Sequence, residues 1–241
     1  LFNTRLKVIF MEIKRVVITG MGALTPLGNT VDEYWKSLVG GKSGAEPITK
    51  FDASLFKTQF ACEVKKFDPL DIMNRKEARK LDLFSIYALA TSDEAIIDSG
   101  IDLEKVNLNR AGVVWGSGIG GMKTFQEECF NFKDGDGSPR FNPFFVPKMI
   151  VDIAAGHISM KYGLQGPNYV TVSACASSNN AIIDSLMLIQ LGKSDFIVTG
   201  GSEAGVNITG IGGFNALKAL STRNDDPKSA SRPFDANRDG F

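Results

Sequence analysis

Cys175 stands where a β-branched run, residues 169–172, hands over to an apolar stretch of helical period, residues 179–191, that Gly192 stops. A strand-to-helix handover of this kind exposes a nucleophile on a sharp turn and aims the first N–H groups of the helix at it. Those N–H groups, with the positive end of the helix, stabilise a thiolate. They can also hold the oxyanion that forms when a thioester carbonyl is attacked. Ala174, Ala176, Ser177 and Ser178 are small, which leaves the sulfur open to a bulky substrate. The bland reading of an isolated cysteine is a small buried hydrophobe. That reading is kept for Cys62, in a strand-like run, and for Cys129, in a polar segment, whereas the handover favours chemistry at Cys175.

Other groups carry weaker signals. The one histidine of the chain, His157, lies in the helical pattern of residues 153–159 and reads as a packing residue. Gly20-Met21-Gly22 follows a β-branched run and partly matches a dinucleotide-binding fingerprint, but Thr25 stands where its third glycine belongs. No clear acidic residue follows about 20 positions on, so an NAD-binding oxidoreductase is a distant alternative. Three cysteines at wide spacings suit neither a disulfide framework nor a zinc site. No metal is therefore expected, and a reducing, cytoplasmic compartment is.

A reactive turn needs a sheet behind it and helices around it. Residues 111–115 read as a buried strand running into Gly116-Ser117-Gly118-Ile119-Gly120-Gly121, and residues 196–199 as another ahead of Gly200-Gly201. Residues 15–19 read as a first strand, and residues 58–64 as strand-like. Helical periods cover residues 31–38, opening at Asn29 or Thr30 and ending at Gly40-Gly41. They recur over residues 75–99, closed by Gly100, and over residues 151–162. The alternation predicts an α/β fold with largely buried strands. Residues 131–147, with three prolines and an Asp-Gly-Asp-Gly run, have no period and are expected to form a functional loop. Residues 221–241 are polar and turn-rich, with no final packed element, so the chain is expected to be cut short.

With 241 residues, 43% of them hydrophobic and 22% charged, the chain can bury a sizeable core. Lys plus Arg and Asp plus Glu each number 27, giving zero formal charge, so no overall field draws it to nucleic acid or an anionic membrane. Residues 1–18 mix Arg5, Lys7, Glu12, Lys14 and Arg15 among apolar residues, unlike a signal peptide or membrane span. Met11 precedes the first strand pattern, so residues 1–10 are expected to be upstream sequence and residues 11–241 the folded domain. Lys76, Arg79 and Lys80 fall on one face of a helical period, which by charge alone is a solvated face.

Val17-Ile18-Thr19-Gly20-Met21-Gly22 with Thr25-Pro26-Leu27-Gly28, the glycine run 116–121, Pro143-Phe144-Phe145-Val146-Pro147, Ser173-Ala174-Cys175-Ala176-Ser177, Gly200-Gly201-Ser202-Glu203, and the blocks 219–224, 231–235 and 238–241 occur in one order. In these blocks the sequence resembles the elongating β-ketoacyl-acyl-carrier-protein synthases, closest to synthase II, over residue 14 to the end.

The resemblance implies a thiolase-like fold, in which two α/β halves stack as a five-layer αβαβα architecture; this chain corresponds to the N-terminal half. It implies acyl transfer from acyl carrier protein to Cys175, then decarboxylative Claisen condensation with malonyl-acyl carrier protein. Ile119 and Phe214 match positions lining the acyl pocket, and Phe145 one that reaches the partner subunit's pocket in a homodimer. Lys76, Arg79, Lys80 and Lys218 match positions that dock the acidic carrier protein. No cofactor is implied beyond the phosphopantetheine carried by that protein, and the glycines at 20 and 22 are explained as a tight turn. Ser178 departs from the glycine many members have. The two histidines and the lysine that serve decarboxylation lie in the family's second half, so this chain alone is expected not to complete condensation. An inert half-domain or structural partner is the alternative.

Overall fold

The computed structural model describes residues 13–241. Thr30 opens the first helix, α1 (Val31–Val39), its hydroxyl accepting from Glu33 N at 3.2 Å, and Gly40 closes it. A short antiparallel pair follows, β1 (Ala45–Pro47) against β2 (Phe60–Cys62). The helical period of residues 75–99 is broken in two, α2 (Arg75–Ala78) and α3 (Leu83–Ser99). The break has a cause in the side chain of Asp82. Buried at 4% exposure, it caps α3 through Phe84 N and accepts from Thr124 N at 3.0 Å and Thr124 Oγ1 at 2.6 Å. Gly100 ends α3 at φ +61, a left-handed cap that costs a glycine little.

The centre is a parallel sheet in the order β4 (Asn168–Thr171), β3 (Ala111–Gly116), β5 (Phe196–Gly201). All six residues of β3 are buried, which requires cover on both faces. Alternation assigns the covers. Ala111, Val113 and Trp115 join the apolar core with α3 and α6 (Ile153–Tyr162), around the fully buried Phe84 and Ile158. Gly116, on the opposite face, meets the start of α7 (Ser177–Gln190), where a Cβ at 116 would stand 2.4 Å from Ser178 N. Each large side chain buried in such a core contributes about 1.5–3 kcal/mol.

Between β3 and α6 the chain makes α4 (Met122–Lys133) and α5 (Phe145–Met149), and α8 (Ile208–Ala216) follows β5. The expected functional loop is thus a shorter excursion, residues 134–144, flanked by two helices. Residues 15–19 are not a strand. Val17 and Ile18 are 61% and 81% exposed, and the neighbouring N–H groups of Met21 and Ala23 donate instead to Asp98 and Glu94 on α3, at 2.9 and 2.8 Å. The glycines at 20 and 22 make no tight turn and open no helix: Cβ atoms there would lie 2.1 Å from Ala95 O and 2.0 Å from Thr91 O. Close backbone approach to α3 explains them.

The C-terminal stretch has no helix or strand after α8, as expected, only the 3-10 turn Pro227–Ser229, but it is anchored at a few points. Ala230 is fully buried against Ala45 and Phe60, Thr58 Oγ1 donates to Ser221 O at 2.7 Å, and Ser221 N donates to Phe241 O at 3.0 Å. The segment is held by β1, β2 and polar contacts, which hydrophobic periodicity does not report. Residues 1–10, read as upstream sequence, lie outside the described residues. Among the described residues no helix is long and apolar enough to cross a membrane.

Candidate active site

Cys175 sits in a single 3-10 turn, Ala174–Ala176, between β4 and α7, with its side chain at the surface. Ala174 adopts φ +52, a left-handed conformation that a side chain rarely takes. Such a residue costs about 1–3 kcal/mol and persists only where its surroundings over-determine it. Here they do. Ser177 Oγ accepts from Ser173 N at 3.0 Å and donates to Ala174 O at 2.7 Å; Thr171 Oγ1 donates to Ser177 O at 2.8 Å; Asn180 Nδ2 donates to Ser173 Oγ at 2.6 Å. No side chain caps the start of α7, so its first N–H groups are not taken by a neighbouring carboxylate or hydroxyl. The sharp, exposed turn at the strand-to-helix handover is as the sequence implies; its lock of hydroxyls is not, since serines beside a cysteine read only as small residues.

The glycine run 116–121 lies alongside. A Cβ at Gly118 would be 3.6 Å from Ala174 O, and Gly120 takes φ +77. Glu203, just beyond β5, holds this loop: Oε2 accepts from Gly118 N at 2.7 Å and Ile119 N at 3.0 Å, and Oε1 accepts from Gly120 N at 3.1 Å. In the sequence Glu203 stands only as the last residue of the Gly200-Gly201-Ser202-Glu203 block, with nothing in its spacing that points to this loop. Ile119 projects from this loop, 43% exposed. Phe214 lies half-buried on α8 with its ring edge-on to Phe241, centroids 5.7 Å apart. Gln126 Oε1 of α4 accepts from Thr209 N at 2.9 Å, tying α8 to α4. Phe145 opens α5 and stacks on Phe125 and Phe141, at 6.1 and 5.6 Å. The loop that carries Ile119 therefore lies beside the cysteine turn through Gly118, whereas Phe145 belongs to a separate aromatic row.

The basic residues are exposed but do not share a long helix face. Lys76 is on the single turn α2, Arg79 is its C-cap, and Lys80 follows in a turn with its ammonium 5.4 Å from the Phe144 ring centre. Asp82, as the cap of α3, forces this break. Lys218 follows α8 at φ +57. Cys62 and Cys129 are at the surface rather than buried as expected, Cys129 on α4. Desolvation pushes the Cys62 thiol up, with Lys65 opposing, which keeps it a poor thiolate. His157 is half-buried on α6 and burial lowers its pKa, in keeping with a packing role.

Residues 13–241 match the family of the beta-ketoacyl synthase N-terminal domain. The chain belongs to that family. This synthase domain is 46% identical over 231 residues to a 3-oxoacyl-acyl-carrier-protein synthase 2 of Coxiella burnetii, covering 96% of the chain and 56% of that relative. It is 44% identical over 231 residues to the enzyme of the same name from a Synechocystis species, covering 96% of the chain and 55% of the relative. The synthase domain thus spans about half the length of the curated relatives it matches. Among solved structures it superposes with TM-score 0.84 on a beta-ketoacyl synthase from Burkholderia phymatum, at 32% identity over 95% of the chain and 56% of that one. With the ishigamide ketosynthase/chain length factor the TM-score is 0.85, at 27% identity over 95% and 56%. The α/β architecture is that of a thiolase-like N-terminal half.

Proposed function

We propose that this synthase domain is the acyl-accepting part of an enzyme that elongates fatty acyl chains on acyl carrier protein. One observation carries the reading: Cys175 is exposed on a turn locked by Ser173, Ser177 and the left-handed Ala174, at the uncapped start of α7. The Cys175 thiolate attacks the carbonyl of an acyl thioester, and the N–H of Cys175, which unlike those of Ala176 and Ser177 does not donate to a carbonyl of the turn, holds the oxyanion of the tetrahedral intermediate. The carbonyl re-forms, the carbon–sulfur bond to the carrier breaks, and the carrier's phosphopantetheine thiolate leaves and takes up a proton. The acyl group remains on Cys175 as a thioester. The chain needs no cofactor of its own for this step, since the pantetheine arm arrives with the substrate.

Ile119 and Phe214 line the path of the acyl chain in this reading, and Phe145 reaches a second copy of the protein in a homodimer. Lys76, Arg79, Lys80 and Lys218 receive the acidic carrier protein. Both relatives named above bear the name of a 3-oxoacyl-acyl-carrier-protein synthase. Condensation with malonyl-acyl carrier protein is the second step, and it asks for paired imidazoles to stabilise the enolate oxygen. The chain holds one histidine, the packing residue His157. Ile182, Ile183, Leu186 and Met187 leave an apolar face of α7 41–50% exposed, which supports completion of the site by a further layer packed there.

The reading is tested by intact-mass spectrometry of the chain and of Cys175→Ala after incubation with an acyl-acyl-carrier-protein thioester. One acyl adduct, lost in Cys175→Ala, is expected. Acylation that is absent, or spread equally over Cys62 and Cys129, overturns acyl acceptance and leaves a structural partner as the reading.

A further inference from the structure

The loop that carries Ile119 has an unusual attachment. Three successive backbone N–H groups, those of Gly118, Ile119 and Gly120, all donate to one carboxylate, Glu203, at 2.7, 3.0 and 3.1 Å. A carboxylate accepting from several backbone N–H groups makes charge-assisted bonds, roughly twice as strong as neutral ones. The anchor of that carboxylate is itself rigid. Glu203 lies two residues past the pairing of Gly201 with Gly116, Ser202 N donates to Gly116 O at 3.0 Å, and Trp115 Nε1 donates to Ser202 Oγ at 2.9 Å. Position 118 lies close to both: a Cβ there would stand a tight 3.1 Å from Glu203 Oε2 and an ordinary contact distance of 3.6 Å from Ala174 O. The same loop therefore runs between Glu203 and the residue before Cys175.

We propose that Glu203 is a positioning residue that fixes the Gly118–Gly120 loop beside the cysteine turn, and so sets which acyl-chain lengths pass Ile119 to reach Cys175. This rests on the acyl-acceptor reading of Cys175. Glu203 touches neither sulfur nor acyl chain in this role; it acts through the backbone of the loop. With the carboxylate in place, Ile119 is held in one position and discriminates by size. Without it, three N–H groups lose their common acceptor, the loop moves away from Ala174, and long and short chains are admitted more equally. Gly120 at φ +77 gives the loop a joint about which to move.

Glu203→Gln separates the roles of the two oxygens. Its single amide oxygen can still accept from Gly118 N and Ile119 N, while its NH2 faces the N–H of Gly120. Glu203→Ala removes both acceptors.

The test measures two quantities on the 241-residue chain, Glu203→Gln and Glu203→Ala. The first is backbone hydrogen exchange of residues 118–120, read with exchange of β3 as a control for global unfolding. The second is the ratio of Cys175 acylation rates with hexanoyl- and hexadecanoyl-acyl-carrier-protein, followed by intact mass. Glu203→Ala is expected to speed exchange at all three amides by about tenfold or more, the loss of charge-assisted bonds, and Glu203→Gln chiefly at Gly120. The rate ratio is expected to move toward one in the same order. Exchange at residues 118–120 unchanged in Glu203→Ala overturns the clamp, whatever the acylation result. Faster exchange with an unchanged ratio overturns the control of chain length. Absence of acylation in the unsubstituted chain overturns the acyl-acceptor reading and the chain-length role with it, while the exchange data still decide whether Glu203 holds the loop.

Discussion

Gly201 lies directly under Ser178: a methyl group at 201 would stand 2.1 Å from Ser178 Oγ and 2.7 Å from Gly116 O. The first turn of α7, which follows Cys175, is thus seated on the bare backbone of two adjacent strands. The Ser178 side chain lies against that backbone, its Oγ and Cβ both within 3 Å of where a methyl group at 201 would be.

Gly201→Ala is therefore expected to push α7 off β5, lowering stability by about 1–3 kcal/mol as overpacking does and slowing alkylation of Cys175. Replacing Ser178 by Gly in the same chain removes the Oγ and Cβ contacts but leaves Gly116 O in the way, so it should recover part of the loss. The check is a double-mutant cycle on urea midpoints. Additive effects of Gly201→Ala and Ser178→Gly would show that the two positions do not press on each other.

Much of this arrangement is legible in the sequence because it follows from period and punctuation. The buried β3, the turn at Cys175 and helices α1, α3, α6 and α7 are bounded by Thr30, Gly40, Gly100, Gly192 and the β-branched runs. What periodicity does not carry is a long-range polar contact. Asp82 splits a continuous helical pattern because Thr124, 42 residues away, shares its carboxylate. Residues 15–19 have the composition of a strand, yet nothing in their own pattern reveals that the backbone after them is drawn to Asp98 and Glu94. Glu203 is invisible for the same reason: its three partners lie more than 80 positions earlier. Helix α8, with three glycines in Ile208–Ala216, has no propensity signal, and is stabilised by Asn207, whose side chain accepts from Gly210 N at 2.9 Å.

His157 provides a pH dependence whose sign is fixed by burial. Desolvation lowers its pKa from the ordinary 6.5, so below that value the unfolded chain binds a proton that the folded chain resists. Stability from this group is complete above about pH 7 and falls as pH drops through 6.5 toward the lowered folded value. Urea midpoints at pH 7.5 and 5.5 are expected to differ more for the chain than for His157→Gln, which does not titrate there. Equal differences in the two proteins would assign the pH dependence to other groups.

Lys80 lies over Phe144, the residue before Phe145 of the aromatic row, and this gives the carrier-protein reading a specific handle. Its ammonium lies 5.4 Å from the Phe144 ring centre, a contact worth about 0.5–1 kcal/mol at an exposed site that fixes where the charge points. Lys80→Glu reverses the charge and removes the contact; Phe144→Leu removes the contact alone. If Lys80 serves as a directed cation, Lys80→Glu should weaken binding of acyl carrier protein by about tenfold at low salt, and the deficit should shrink as salt screens the encounter. Phe144→Leu should cost only about two- to threefold, the loss of a pre-set orientation, with an unchanged salt slope. Titration calorimetry at two ionic strengths separates the cases. Equal affinities for Lys80→Glu and the unsubstituted chain at low salt would remove Lys80 from the docking surface and leave it as a solvated cation resting on an aromatic ring.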